Sequence, residues 1–243
     1  MQYWGITDLG CIRAQNQDMY QIEQLDKHTL LCVVCDGMGG AKSGNVASTL
    51  ATDVFIQEIR QSFVSAMDQK QLDQMLQSAV KLANFTVYDQ SRQFEEFSGM
   101  GTTLVALLIS GKQITVVNVG DSRAYSITEN GVEQLTKDHS LVQMMIDKGE
   151  LTPEQAKTYP GKNLITRAIG TEMVVNCDIF HRELTPGECF LLCTDGLCNV
   201  VDEQEMLFEV VHGGEKTDVC ERLLAIAKNR GAPDNVTCVL VEV

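Results

Sequence analysis

Three apolar runs in this chain end abruptly in an aspartate with a small residue beside it: VVCDGMGG at 33–40, VVNVGDSR at 116–123 and FLLCTDG at 190–196. A fourth aspartate, Asp234, stands just before the last apolar run, in GAPDNVTCVLVEV. Each run has the length and the Val, Leu and Ile content of a buried strand, so these carboxylates are expected where strands leave a hydrophobic core. Carboxylates gathered in a poorly hydrated place repel one another unless they are protonated or share positive charge, and a divalent metal is the commonest supply of it. The pattern therefore predicts an acidic metal centre.

At 243 residues and 44% hydrophobic content the chain is long enough for a sizeable core. With only 4 prolines and no Pro/Ser/Gly-rich linker, residues 1–243 are expected to form a single domain. A formal net charge of −14 argues against nucleic acid or an anionic membrane as a partner, because either would repel this surface at long range. No run approaches the roughly 20 apolar residues of a spanning helix, and the N-terminus lacks the apolar core of a signal peptide, so a cytoplasmic location is expected. The 9 cysteines are odd in number, and several lie inside apolar runs, which favours buried reduced thiols over disulfides. Cys32 and Cys35 form a C-x-x-C, yet residues three apart on a strand point to opposite faces and cannot share one metal.

Periodicity predicts strands at about 2–8, 18–23 and 29–35, then helices at 45–66 and 71–91 whose apolar positions recur at helical spacing. Strands at 103–110 and 113–119 are separated by Gly111 and Lys112, a hairpin signal, and shorter strands follow at 124–127 and 132–135. Consecutive strands without intervening helices exclude a Rossmann alternation. Residues 141–157 read as an irregular helical segment broken by Gly149 and Pro153, and 141–163 as a flap. A strand at 188–194, helices near 203–212 and 217–229, and a last strand at 236–243 complete a pattern of antiparallel sheets covered by helices.

The candidate ligands are carboxylates and the carbonyl that Gly37 leaves accessible, hard oxygens that select Mg²⁺ or Mn²⁺ over zinc or copper. No histidine pair has ligand spacing; of His28, His139, His181 and His212 only His139, after Asp138, falls in a site-like segment, where a supporting hydrogen-bonding role suits it best. Two hard cations bridged by a carboxylate lower the pKa of a shared water and hold a phosphate oxygen, the arrangement for phosphoester hydrolysis without a nucleophilic side chain. There is no G-x-S-x-G, no Walker A lysine after DGMGG and no EF-hand loop.

The ordered blocks TDLGCIRAQNQD, VCDGMGGAKSGNVAS, GMGTTLVALL, VNVGDSRAYSI, LTKDHS, LITRAIG, LLCTDGL and DNVTCVLV resemble the bacterial branch of the metal-dependent PP2C (PPM) serine/threonine protein phosphatases, over residues 4–243. The resemblance implies an α+β fold, a four-layer α-β-β-α sandwich with two central antiparallel sheets flanked by antiparallel helices. It implies two Mn²⁺ or Mg²⁺ ions per site and a weaker third. Asp36 would bridge the two, with the Gly37 carbonyl on the second and Asp195 and Asp234 on the first. Asp18 would act through a water, and Asp121 with Asp195 would serve the third ion. Arg13 matches the arginine that grips the substrate phosphate, which suits its forked guanidinium. Asp36, Arg13 and Asp18 are thus the candidate catalytic residues. The implied reaction is single-step hydrolysis of phosphoserine or phosphothreonine by a metal-activated water. The implied partners are phosphorylated proteins, targets of a Ser/Thr kinase, and a monomer is expected. Two departures stand out: Gln17 replaces the glutamate many members carry, and Met38 occupies the position of a histidine in the animal enzymes, while Ala41 stands where some bacterial relatives place one. The general acid is left unassigned. The alternative is a catalytically weak relative that binds phosphoproteins as a regulatory module.

Overall fold

The long apolar runs become strands buried on both faces. A computed structural model describes residues 1–40 and 43–243, and the departure noted at Ala41 falls outside them. The chain opens with strands β1 (Gln2–Asp8), β2 (Asp18–Asp26) and β3 (Thr29–Met38), followed by helices α1 (Gly44–Ser62) and α2 (Gln69–Gln93). Then come β4 (Gly101–Thr102), β5 (Leu104–Ser110), β6 (Gln113–Val119), β7 (Arg123–Thr128) and β8 (Gly131–Gln134). Short helices α3 (Leu141–Asp147) and α4 (Pro153–Ala156) lead to β9 (Asp178–Glu183) and β10 (Cys189–Cys193). Helices α5 (Asp195–Cys198), α6 (Glu203–Val211) and α7 (Val219–Asn229) precede the last strand, β11 (Val236–Glu242).

Two antiparallel sheets result. One has the order β1-β11-β10-β7-β8, the other β2-β3-β5-β6-β9 with β4 extending the end of β3. Strand alternation sorts β3 between two layers: Leu30, Cys32 and Val34 pack against Phe190, Leu192, Val239 and Val241 of the facing sheet, while Leu31, Val33 and Cys35 pack under α1 and α2. A third apolar layer joins the other sheet to α5, α6 and α7 through Leu191, Cys193, Leu197, Leu223 and Leu240. The architecture is the expected four-layer α-β-β-α sandwich. Cys32 and Cys35 fall in different layers, as strand geometry requires, and all 9 cysteines are unpaired.

The first helix and an edge strand depart from the sequence reading, while the flap follows it as a helical segment broken around Gly149 and Pro153. The first helix ends at Ser62 rather than 66, because Phe63 turns extended and Ala66 takes a left-handed conformation. Asp68 then starts α2 with a capping box closed by Gln71. Strand β9 had no clear signal, since as a half-buried edge strand its DIFHRE sequence has only Ile179 and Phe180 as apolar residues, with charge at both ends. The flap segment holds α3 and α4, and its two feet are tied by the Ser140–Ile165 bridge and the Leu141 amide donating to the Leu164 carbonyl.

Candidate metal centre

The ends of the two sheets bring the predicted aspartates together. Asp36, the Gly37 backbone, Asp121, Asp195, Asp234 and Arg13 line one cleft of about 500 Å³. Asp18 lies behind its floor, 8% exposed. Every candidate site residue is thus within or directly beneath a single cleft, although they arrive from the β1–β2 loop, β2, β3, the β6–β7 turn, the start of α5 and the loop before β11.

Each aspartate is held by a local device. The Asp36 amide donates to the Thr103 hydroxyl at 2.8 Å, and its carbonyl accepts from the Thr103 amide at 2.9 Å, fixing the end of β3. Gly37 must be glycine, because a Cβ there would stand 2.0 Å from the Gly44 carbonyl oxygen and 2.6 Å from that of Gln17. Gly120, with φ +112°, packs its bare Cα on Thr103 and sets the turn that presents Asp121. Asp195 opens α5 directly after β10, where Asn199 donates to its Oδ2 at 3.1 Å. Asp234 accepts from the Asn235 amide at 2.9 Å and from the Arg13 guanidinium at 2.7 Å.

The electrostatics are those of crowded carboxylates. Desolvation, then repulsion from Asp18, Asp195, Asp121 and Asp234, holds Asp36 well above the usual carboxylate range. Burial pushes Asp18 up to about 7 against the opposing hydrogen bonds of Thr237 and Thr194. Burial, then the charge of Asp195, likewise pushes Asp121 up to about 7. Asp195 is raised by burial and then by Asp234. Such a cluster calls for cations.

The donor set fits a hard divalent ion. Asp18 Oδ1 and Asp195 Oδ1 are buried with no hydrogen-bond partner among the described residues, and buried carboxylate oxygens with free lone pairs beside other carboxylates are ready cation ligands. Among the described residues no three acidic, histidine or cysteine side chains close into a ready-made chelate. An ion here would therefore complete its shell with carbonyls and solvent, as Mg²⁺ and Mn²⁺ do more readily than zinc.

Residues that sequence reasoning passed over hold the constellation in place. Asn235, 5% exposed, accepts from the Gln17 amide and donates to the carbonyls of Leu9 and Gln15, so it staples the loop that carries Arg13. Thr194 and Thr237 both donate to Asp18. His139 is a buried hydrogen bonder, as expected: its Nδ1 accepts from the Gly120 amide at 3.0 Å and its Nε2 faces Asp178 at 3.2 Å. The only hint of these roles in the sequence is adjacency to an aspartate for Thr194, Asn235 and His139, and Thr237 has none.

Comparison with known proteins shows the family. The family described as protein phosphatase 2C matches residues 13–226. The serine/threonine phosphatase Stp of Listeria monocytogenes serotype 4b is 35% identical over 240 residues, covering 97% of this chain and 93% of that protein. The crystal structure of the serine/threonine phosphatase Stp1 from Staphylococcus aureus superposes with a TM-score of 0.94 at 36% identity, over 100% of this chain and 94% of that one. The catalytic domain of the serine/threonine protein phosphatase PstP, solved in complex with 2 manganese ions, superposes with a TM-score of 0.82 at 32% identity, over 98% and 96% of the two chains. The chain belongs to the protein phosphatase 2C family.

Proposed function

We propose that this protein is a metal-dependent phosphatase that removes phosphate from phosphoserine and phosphothreonine in proteins. The observation that carries the reading is the convergence of Asp36, Asp121, Asp195 and Asp234 with Arg13 in one cleft, with two buried carboxylate oxygens left unpartnered. Asp36, the Gly37 carbonyl, Asp195 and Asp234 would hold two Mn²⁺ or Mg²⁺ ions, Asp18 would support them from beneath, and Asp121 with Asp195 would hold a weaker third. When bound, such ions activate water for attack on phosphorus and neutralise charge on the phosphoryl oxygens.

The chain's own residues supply the rest. Arg13 sits at the mouth, its side chain 51% exposed and tied to Asp234 by one nitrogen, which leaves other guanidinium donors free for a phosphate. Ionised aspartates only accept, whereas a protonated carboxyl also carries a proton on an oxygen a cation would need, so the cluster must lose its protons to bind cations. Among the described residues lining the cleft there is no histidine to protonate the leaving alkoxide, Met38 standing at its wall, and the proton would come from solvent or a bound water. A second cleft of about 750 Å³ runs on from the site between the flap residues Val142, Ile146 and Lys157 and the start of α6, sharing Asp121 and Asp195 with it. We assign it to the substrate chain flanking the phosphorylated residue.

The chain acts as one domain and a monomer in this reading, in the cytoplasm, on the products of a Ser/Thr kinase; the nine unpaired cysteines suit a reducing compartment. Among the described residues no helix is long and apolar enough to cross a membrane. The test is substrate class in the presence of Mn²⁺. Phosphoserine and phosphothreonine peptides should release phosphate; preferential cleavage of an aryl phosphodiester would overturn the assignment.

A further inference from the structure

Asp18 is the site carboxylate held by two buried hydroxyls on one oxygen alone. Its Oδ2 accepts from Thr237 Oγ1 at 2.7 Å and from Thr194 Oγ1 at 2.8 Å, whereas its Oδ1 is buried with no partner among the described residues. A threonine hydroxyl carries a single proton, so each donation fixes the direction of the rest of the chain. Thr237 Oγ1, having given its proton to Asp18, accepts from Thr7 Oγ1 at 2.7 Å, which in turn accepts from Asn16 Nδ2 at 2.8 Å. Thr194 Oγ1 accepts from the Thr237 amide at 3.1 Å. Asn16 closes the ring, its Oδ1 accepting from the Asp18 amide at 3.1 Å.

Two features separate this from ordinary polar satisfaction. Thr194 stands at the N-cap of α5, where a threonine normally accepts from the helix's own amides, yet it makes no capping bond and its proton goes to Asp18. The hydroxyls also cross between layers, since Asp18 belongs to β2 while Thr237 belongs to β11 of the facing sheet and Thr194 follows the end of β10 in that sheet. Both threonines are fully buried.

We infer that Thr194 and Thr237 are a positioning pair: by donating together to Oδ2 they lock the rotation of the Asp18 carboxylate and aim Oδ1 into the metal centre. The inference rests on the reading of Asp18 as part of that centre. Hydrogen bonds that orient a ligand carboxylate are typically worth roughly 10–100-fold in metal affinity.

Calorimetric titration of Mn²⁺ into wild type, Thr194→Val, Thr237→Val, both Thr→Ser forms and Asp18→Asn decides the matter without reference to turnover. Valine keeps the shape and removes the donor, so each Val form should bind Mn²⁺ about ten-fold more weakly or worse, and each Ser form within about three-fold of wild type. In an Asp18→Asn background the Val exchanges should add nothing. If Asp18→Asn binds Mn²⁺ as wild type does, the placement of Asp18 in the centre is wrong. If Asp18→Asn weakens binding and the Val forms do not, or Ser fails as badly as Val, the positioning role is wrong. Melting in EDTA reports whether each Val form is folded. Should one not fold, Thr7→Val on the exposed face of β1 takes its place: a measurable loss of Mn²⁺ affinity supports the directed chain, and unchanged affinity overturns it.

Discussion

Asp18 and Asp36 are direct partners across the β2–β3 ladder. Opposed residues of an antiparallel pair point to the same face with their Cβ atoms roughly 5 Å apart, and like charges there are destabilising. The fold therefore holds two carboxylates against each other at the floor of the cleft, an arrangement that only cations or protons relieve.

Asp36→Asn removes one of the opposed charges and the central candidate ligand together. Phosphate release should fall at least about a thousand-fold, as for loss of a group acting on the transition state. The metal-free protein should become more stable by about 1 kcal/mol, seen as a rise of about 2–4 °C in Tm in EDTA. A lower Tm together with retained turnover would contradict both roles.

The stability of the metal-free protein should fall as pH rises. Asp18 and Asp121 titrate at about 7 in the folded chain against an ordinary value of 3.8. Between these values the folded state holds more protons than the unfolded, so stability is complete below 3.8 and is lost as pH rises through about 7. Saturating Mn²⁺ should remove this loss, because binding displaces the protons. Urea denaturation at pH 5 and pH 8, in EDTA and in Mn²⁺, reads the effect; metal-free stability that increased towards pH 8 would refute it.

Gly37→Ala should cost about 1–3 kcal/mol, because the added methyl meets two backbone carbonyl oxygens and cannot be accommodated by a side-chain rotation. Moving the backbone to relieve the clash shifts the Gly37 carbonyl, so Mn²⁺ affinity should fall along with Tm. An alanine form with unchanged melting and metal binding would mean that the β3 end is far more pliant than its hydrogen bonds to Thr102 and Thr103 suggest.

Arg13→Ala should raise KM for a phosphothreonine peptide about ten-fold or more with a smaller change in kcat, since the loss is of charged hydrogen bonds to the phosphate. Lysine should rescue only in part, lacking the planar fork. Unchanged KM would remove Arg13 from the phosphate site.

Much of this site was legible because its signal is abrupt. The runs ending at Asp36, Asp121 and Asp195 are apolar on both faces, so the first charge after each marks where a strand leaves the core, and all three meet in the cleft. The hairpin through Gly111 and the capped start of α2 follow from local chemistry. Strand β9 was not legible because an edge strand buries one face only partly, and its Ile179 and Phe180 are interrupted by His181 and Arg182. Helix α5 spans four residues, too few to show a period. The alignment of Asp18 with Asp36 depends on the irregularity between Gln24 and Asp26 in the β2–β3 ladder, which no spacing rule reveals. Thr194 and Thr237 read simply as strand formers, since their role exists only once the two sheets are stacked.

The flap is the place to look for substrate preference. Exchanging residues 141–163 for another flap of equal length, with the Ser140–Ile165 bridge kept, should change relative rates among phosphopeptides while leaving hydrolysis of a small aryl phosphate within about three-fold. Equal loss on both substrate types would place the flap in the chemistry instead.

The most direct test of the central claim is phosphate release from a phosphothreonine peptide by wild type and Asp36→Asn, with Mn²⁺ and with EDTA. Wild type should release phosphate in Mn²⁺, and release should vanish in EDTA and in the variant. Folded wild type that releases no phosphate in Mn²⁺ or in Mg²⁺ would contradict it and favour a phosphoprotein-binding module built on the same fold.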